Sequence, residues 1–240
     1  MSAGHVASLL RWPVKGMGGE AVDALSLDAF GAAGDRSHVV YDVFQGSARR
    51  VNAKVLPRML AWSAAYPAGG GDLTAREQTP EPVITSPDGT ALAWKDPALA
   101  QALAEDFGRP VTLGREPRGL HVDRPQTVHL TIDASLRALA ETLGGEVDVR
   151  RFRSNIHLEL DADPWAEEGW VGRRLRVGAA ELEVVERCER CPIPGLDPQT
   201  QRKWPALLRL LADEHRSDFG LIARTVGPAT IRRGDDALLL

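Results

Sequence analysis

Cys188-Glu189-Arg190-Cys191 holds both cysteines of the 240-residue chain. Their isolation narrows the chemistry open to them. A structural zinc site needs four ligands, commonly from two such pairs, and a disulfide framework needs several spaced cysteines. A reactive thiol, a redox pair or an inert packed thiol remain. Arg187 precedes the segment and Arg190 lies within it, and positive charge favours the thiolate, the form that attacks electrophiles and binds soft metals. The sequence continues Cys191-Pro192-Ile193-Pro194-Gly195-Leu196-Asp197-Pro198. Pro192 and Pro194 oppose a helix beginning directly after Cys191, so a thioredoxin-like arrangement fits poorly. A fixed loop is predicted instead, with Cys191 on a rigid shelf and Cys188 packed at a strand end.

Three other segments carry groups suited to an anion. Trp12-Pro13-Val14-Lys15-Gly16 runs from a strand into a glycine-rich turn, whose backbone N–H groups could cradle a phosphate with Lys15 adding a point charge; an ordinary β-turn with a solvated lysine is the alternative. In Gly34-Asp35-Arg36 the aspartate either forms a weak local ion pair or holds Arg36 for a planar anion. In Arg150-Arg151-Phe152-Arg153-Ser154-Asn155 an extended backbone would put Arg151, Arg153 and Asn155 on one face and Phe152 toward the core. Such guanidinium groups beside an amide suit a phosphate or a pterin-like heterocycle, while a solvated basic strand edge is the structural alternative.

The elements that must position these groups are mostly short strands. Period-2 runs predict strands at 6–12, 21–27, 38–42, 60–66, Thr127–Ile132, Val149–Phe152, Ile156–Leu160, Arg174–Val177, 182–185, 221–226 and 237–240. Helices are predicted at Pro97–Phe107, ended by Gly108, from a cap at Asp133 or Ser135 through Leu143, and at Pro205–His215. The polar stretch 114–125 reads as a linker or exposed loop, Gly69-Gly70-Gly71 as a low-complexity tract, and the acidic segment 161–168 as a solvated surface turn. The fold class is therefore mixed α+β and β-rich with about three short helices, without the regular alternation of a doubly wound sheet.

Composition excludes several function classes. Net charge is −4 with 43% hydrophobic and 26% charged residues, so there is no general electrostatic case for nucleic acid or an anionic membrane, and any anion site is local. No apolar run approaches a membrane span, and residues 1–6 lack a secretory signal pattern, which together with two cysteines predicts a cytoplasmic setting. The six histidines, His5, His38, His121, His129, His157 and His215, form no metal-binding pair by spacing. His129 and His157 read as sheet histidines, and no Gly-x-Ser-x-Gly elbow occurs.

In order and spacing these segments resemble one family. Trp12-Pro13-Val14-Lys15-Gly16 is similar to the Tyr-Pro-Val-Lys-Ser opening of MOSC proteins that carry a MOSC N-terminal β-barrel domain, and Gly34-Asp35-Arg36 to that domain's Gly-x-Asp-Arg signature. Arg151-Phe152-Arg153-Ser154-Asn155-Ile156 resembles the family's Arg-Phe-Arg-Pro-Asn-Ile. Trp165-Ala166-Glu167-Glu168-Gly169-Trp170-Val171-Gly172, the cysteine pair, Phe219-Gly220 and Gly227-Pro228-Ala229-Thr230-Ile231-Arg232-Arg233-Gly234-Asp235 follow in the expected order. Three positions depart: Gly16 replaces a serine, Ser154 a proline, and Pro192-Ile193-Pro194-Gly195 a threonine-rich run beside the expected substrate access.

The resemblance implies a β-barrel-like N-terminal domain over 1–115 and a β-barrel-type MOSC domain over 116–240. It implies binding of the molybdenum cofactor, as in the mitochondrial amidoxime reducing component and its bacterial relatives, with Cys191 as the thiolate ligand of the metal. Lys15, Arg36 and Arg153 would hold the pterin phosphate, with Gly16 in the same turn. Asn155 and the backbone of Glu189 and Arg190 would line the metal side, and Thr127 would approach from a neighbouring loop. The implied activity is reduction of small N-hydroxylated substrates, with electrons from a separate flavin or iron–sulfur reductase. Sulfur transfer through a persulfide on Cys191 and non-catalytic cofactor carriage are the alternatives, and pyridoxal phosphate is associated with the family as a whole.

Overall fold

In the computed structural model, which describes residues 3–67, 79–116 and 127–240, seven strands close into a barrel. Their order is Ile156–Leu160, Thr127–Ile132, Asp218–Thr225, Ala180–Glu189, Arg174–Val177, Asp236–Leu239 and Ala3–Arg11, and the last pairs back onto Ile156–Leu160. Alternation along each strand decides what fills the interior. Val128, Leu130 and Ile132 project into it with Val6, Leu9, Leu158, Leu175, Leu182 and Leu221, all fully or almost fully buried. Thr127, His129 and Thr131 take the opposite face, yet they too are buried, because further layers cover the barrel there.

The first strand crosses the division at 115/116. Ala3–Arg11 belongs to the barrel otherwise built from residues beyond 127, and Ala24–Asp28 pairs antiparallel with Ala229–Arg232. Gly4 sits at this seam opposite Leu160, where an added Cβ would lie 1.9 Å from the Glu159 carbonyl oxygen. Only a glycine lets the two backbones come that close.

Beside the barrel, His38–Phe44 pairs with Val111–Arg115 and Ser47–Arg50, and Ser63–Ala65, Val83–Thr85 and Ala91–Ala93 form a second small sheet. Helix α1 (Pro97–Phe107) completes this layer, with Leu99, Leu103 and Phe107 packed on Met17, Met59, Trp62 and Ile84. Asp96 caps α1 by accepting the Ala98 N–H at 2.9 Å, and Gly108 ends it in the left-handed conformation at φ 66°. A third cluster joins α2 (Asp133–Leu143), α3 (Pro205–His215) and the stacked rings of Phe152 and Phe219. No helix among the described residues is long and apolar enough to cross a membrane.

Several expectations change in the structure. Val149–Phe152 is a turn of 3-10 helix rather than a strand, started by Asp148 accepting the Arg150 N–H. The 60–66 run divides into a 3-10 turn at Pro57–Ala61, which starts at a proline, and the strand Ser63–Ala65. Neither Asp133 nor Ser135 caps α2. Ser135 instead donates to the Glu167 carboxylate at 2.7 Å and accepts the Trp165 N–H at 2.8 Å. The acidic segment is correspondingly not a solvated turn, since Glu167 is buried and burial raises its carboxyl pKa against the opposing Ser135 bond. The tract at 69–71 and most of the 114–125 stretch, with His121, lie outside the described residues.

The seam yields a direct expectation. Gly4→Ala should destabilise the chain by about 2 kcal/mol or more, because the Cβ meets backbone rather than a movable side chain. Gly46→Ala meets no atom within 4 Å and bears only the cost of its positive φ. Urea unfolding of both variants measures the difference.

Candidate functional site

The three anion-suited segments converge where the first strand leaves the barrel. Asn155 organises the meeting point. Its backbone carbonyl accepts the Leu10 N–H at 2.8 Å and its backbone N–H donates to the His129 carbonyl at 2.8 Å. Its side chain repeats both links, with Nδ2 donating to the Leu10 carbonyl at 3.3 Å and Oδ1 accepting the His129 N–H at 3.2 Å. The amide is fully buried, so its place here is to hold backbones in register.

Trp12 carries the linkage onward. Its indole N–H donates to the Ser154 carbonyl at 3.0 Å, its backbone N–H to the Asp35 carboxylate at 2.8 Å, and its carbonyl accepts the Arg36 N–H at 2.7 Å. His38 N–H bonds the Pro13 carbonyl and Lys15 N–H the His38 carbonyl, which lays the Lys15-Gly16 turn alongside Arg36. Gly16 adopts φ 92°, a conformation costly for any side chain.

On this scaffold three guanidinium groups crowd together. Arg36 is bound by Asp35 through Nη1 and donates from Nη2 to the Arg153 carbonyl at 3.1 Å. Arg153 lies over the Trp12 ring at 4.3 Å and donates from Nη1 to the Met17 carbonyl at 2.7 Å. Arg36 and Arg153 both have left-handed backbones, at φ 48° and 54°, which turns their loops sharply toward each other. Arg190 donates to the Phe152 carbonyl at 2.6 Å, to the Cys188 sulfur at 3.0 Å and to His129 Nε2 at 3.2 Å.

The charges are under-compensated. Burial above all, and then the neighbouring Arg36 charge, pushes the Arg153 pKa down to about 9. Burial and the charges of Arg190 and Arg36 push His129 well below the usual histidine value, so its imidazole is neutral and Nε2 accepts from Arg190. Arg153 Nη2 and Arg190 Nε are buried without a hydrogen-bond partner among the described residues. Enclosed donors that no protein group satisfies are what a bound anion would require.

Cys191 is exposed and Cys188 buried, both as free thiols. Cys191 lies within electrostatic range of Arg153. Two bulges in Ala180–Glu189, between Val184 and Glu186 and between Arg187 and Glu189, turn the strand just ahead of it. Downstream, Arg151 bonds the Asp197 carboxylate at 2.8 Å and the Pro194 carbonyl at 3.2 Å, pinning the loop after Cys191. Arg151 and Arg153 therefore do not share a face, because the segment is helical rather than extended. Arg187 pairs with Glu168 and Asp218 instead of supporting the cysteines.

Of the residues selected from sequence, Lys15, Gly16, Arg36, Arg153 and Asn155 are thus joined through one network. Arg190 enters it through His129 and Phe152, and Cys191 lies within electrostatic range of Arg153. Glu189 is exposed at the strand end opposite Asp218. Thr127 is buried two residues before His129 on the same strand face, with Gly31 at φ 94° packed against its carbonyl. Asp35 holds Arg36, as one of the two readings of that dipeptide had it, while Trp12 and His129 are positioning residues whose partners the sequence did not reveal.

Next to the cluster is a largely apolar cavity of about 240 Å³, walled by Ala53 and Pro57 on one side and by Pro192, Ile193 and Leu208 on the other. A larger, more open hollow of about 480 Å³ beside α1 contains none of the selected residues.

Comparison with known proteins accords with this geometry. The MOSC domain profile matches residues 117–237, and the MOSC N-terminal beta barrel domain profile matches residues 3–96. The chain belongs to the MOSC family. It is 35% identical over 97 residues to the molybdenum cofactor sulfurase of Caenorhabditis elegans, covering 38% of this chain and 13% of that protein. It is 32% identical over 123 residues to the human mitochondrial amidoxime-reducing component 1, covering 45% of this chain and 35% of that protein. This MOSC chain therefore spans well under two thirds of the curated relatives it matches. Among solved structures, the YUAD protein from Bacillus subtilis superposes with a TM-score of 0.47 at 13% identity, over 99% of this chain and 94% of that one.

Two outcomes follow from the network. Asn155→Ala should lower stability by about 2–4 kcal/mol, measured by denaturant unfolding, because a buried N–H and a buried carbonyl lose their partner together. His38, whose ring is buried against Trp94 and bonded to Glu81, has its pKa lowered to about 4, mainly by burial. Its neutral form favours folding, so that contribution is complete above about pH 6.5 and is lost as the pH falls toward 4, by up to about 3 kcal/mol. His38→Gln should flatten this part of the stability–pH curve relative to wild type.

Proposed function

We propose that this MOSC protein binds a molybdenum cofactor in the guanidinium cluster and reduces small N–O compounds, with Cys191 as the thiolate ligand of the metal. The observation that carries the reading is the pair of buried, unsatisfied donors, Arg153 Nη2 and Arg190 Nε, in an enclosed site where positive charge exceeds negative. An anionic group such as a pterin phosphate supplies the acceptors these donors lack. The residues present fit the group: fixed guanidinium forks for the phosphate, a tryptophan face beneath one of them, and an exposed thiol at the edge.

Each residue has a separate task in this reading. Arg36 and Arg153 hold the phosphate, and Lys15 adds charge from the turn, where Gly16 keeps the backbone free of a side chain. Asp35 and the Arg153 carbonyl hold the Arg36 fork in place before any ligand arrives, which lowers the ordering cost of binding. Neutral His129 and the Phe152 carbonyl orient Arg190 without competing for the anion. Asn155 and Thr127 stay in the protein wall as positioning residues. Cys191 supplies a soft sulfur donor, held by a loop that Arg151 anchors at Pro194. When bound, the cofactor supplies two-electron redox chemistry, and the electrons come from a separate flavin or iron–sulfur protein.

Sulfur transfer is the second reading, favoured by the exposure of the Cys191 thiol and by the relatives named as sulfurases. A persulfide on Cys191 in metal-free protein, seen as a sulfane adduct by mass spectrometry, would support it.

The test is pterin and molybdenum content of protein isolated from a molybdenum-replete host. Wild type should carry both. Cys191→Ser should retain pterin and lose most of its molybdenum, whereas Arg153→Ala should lower both by at least about tenfold while its unfolding transition stays cooperative. Wild-type protein that carries neither pterin nor molybdenum would overturn the proposal.

A further inference from the structure

The cavity beside Cys191 has walls continuous with both halves of the cluster. Pro192 lines it and directly follows Cys191, while Ala53 lines the other side and is the residue against which the Gly16 turn packs. A side chain added at Gly16 would come within 3.1 Å of the Ala53 amide nitrogen. A molecule in this cavity therefore sits against the loop that follows Cys191 and against Ala53, on which the Gly16 turn packs. Pro192, Ile193 and Gly195 belong to the segment that departs from the threonine-rich run expected of the family. That replacement makes the wall apolar and shapes it by proline rather than by hydroxyl groups.

Two exposed lysines, Lys54 and Lys203, complete the lining. Several exposed cations of the chain are matched by carboxylates, as Lys95 by Glu81, Arg58 by Asp106, Arg50 by Glu116, Arg174 by Glu181 and Arg224 by Glu183. Others, such as Arg176, Arg209 and Arg232, have none among the described residues but do not line this cavity. Among the described residues neither Lys54 nor Lys203 has such a partner. In a chain of net charge −4, two unmatched ammonium groups on one small apolar cavity make it locally attractive to anions.

We propose that the substrates of this site are anions with a compact apolar body, whose apolar part fills the cavity while an acid group pairs with Lys54 and Lys203. The inference rests on the reductase reading for what happens to such a molecule, and on the cavity alone for its binding. An uncharged compound of the same shape gains the apolar contacts but not the ion pairs. Specificity between the two is thus set by the lysines rather than by the arginine cluster.

The test compares 2-naphthoate with uncharged 2-naphthamide by titration calorimetry on the isolated protein, wild type and the Lys54→Gln/Lys203→Gln double variant. Both lysines are exposed, so the double variant should fold as wild type does. Wild type should bind naphthoate about fivefold or more tightly than naphthamide, and the double variant should bind the two within about twofold. Leu208→Trp, which fills the cavity, should weaken both ligands together. Equal affinity of wild type for the two compounds, or a preference for naphthoate that survives in the double variant, would overturn the proposal. In cofactor-loaded protein, naphthoate should also inhibit reduction of an N–O substrate competitively, and inhibition that is not competitive would overturn it. Protein lacking pterin and molybdenum refutes the reductase reading and leaves the naphthoate titration to decide the cavity, so the two failures are distinct.

Discussion

Four hydrogen bonds made by Asn155 join the first strand of the chain to a strand that begins more than a hundred residues later. Two come from its backbone and two from its side chain, and they reach Leu10 and His129. Because the amide is wholly enclosed, losing it strands polar groups where no water can replace it. The tie continues the pairing of the first strand with Ile156–Leu160 that closes the barrel, and it holds the ends from which Trp12 and Arg153 leave. The turn that carries Arg36 is tied to both the backbone N–H and the carbonyl of Trp12, in addition to the bonds it makes to its own sequence neighbours.

The price of assembling the site is electrostatic. Arg36, Arg153 and Arg190 are held mainly by carbonyls, a tryptophan face, a neutral histidine and a single buried carboxylate, Asp35. Carbonyl groups satisfy donors without cancelling their charge, so the field of the cluster survives its enclosure. The depressed Arg153 pKa records the cost of that arrangement. Such uncompensated charge is tolerable in a fold stabilised elsewhere by three apolar clusters, and it is useful where an anion is to be bound.

Much of the secondary structure was legible because the local signals were strong. Pro97 with Gly108, and Pro205 at a helix start, bracket helices whose bounds match the sequence reading, and Thr127–Ile132, Ile156–Leu160 and Arg174–Val177 follow clear alternation. Legibility failed where short segments are decided by their surroundings. Val149–Phe152 has strand-like residues, but the Asp148 cap and the packing of Phe152 on Phe219 curl it into a 3-10 turn. The acidic segment looked exposed because sequence cannot show that Ser135, thirty-two positions earlier, receives Glu167.

For the candidate site, the sequence by itself determined the chemical repertoire: two thiols in one tetrapeptide, arginines following Asp35 and Phe152, and a lysine in a glycine turn. Residue type dictates what a side chain can donate, accept or carry, and that is local information. Tertiary structure alone decided the partners. It turned Arg151 away to Asp197, buried Cys188 under Arg190, left Cys191 exposed, and gave Lys54 and Lys203 a shared cavity. Those outcomes bring together residues as many as 149 positions apart, as Lys54 and Lys203 on one cavity, and no local propensity encodes placement at such range. Only closing the barrel brings the groups together, and with them the excess of positive charge that defines the site.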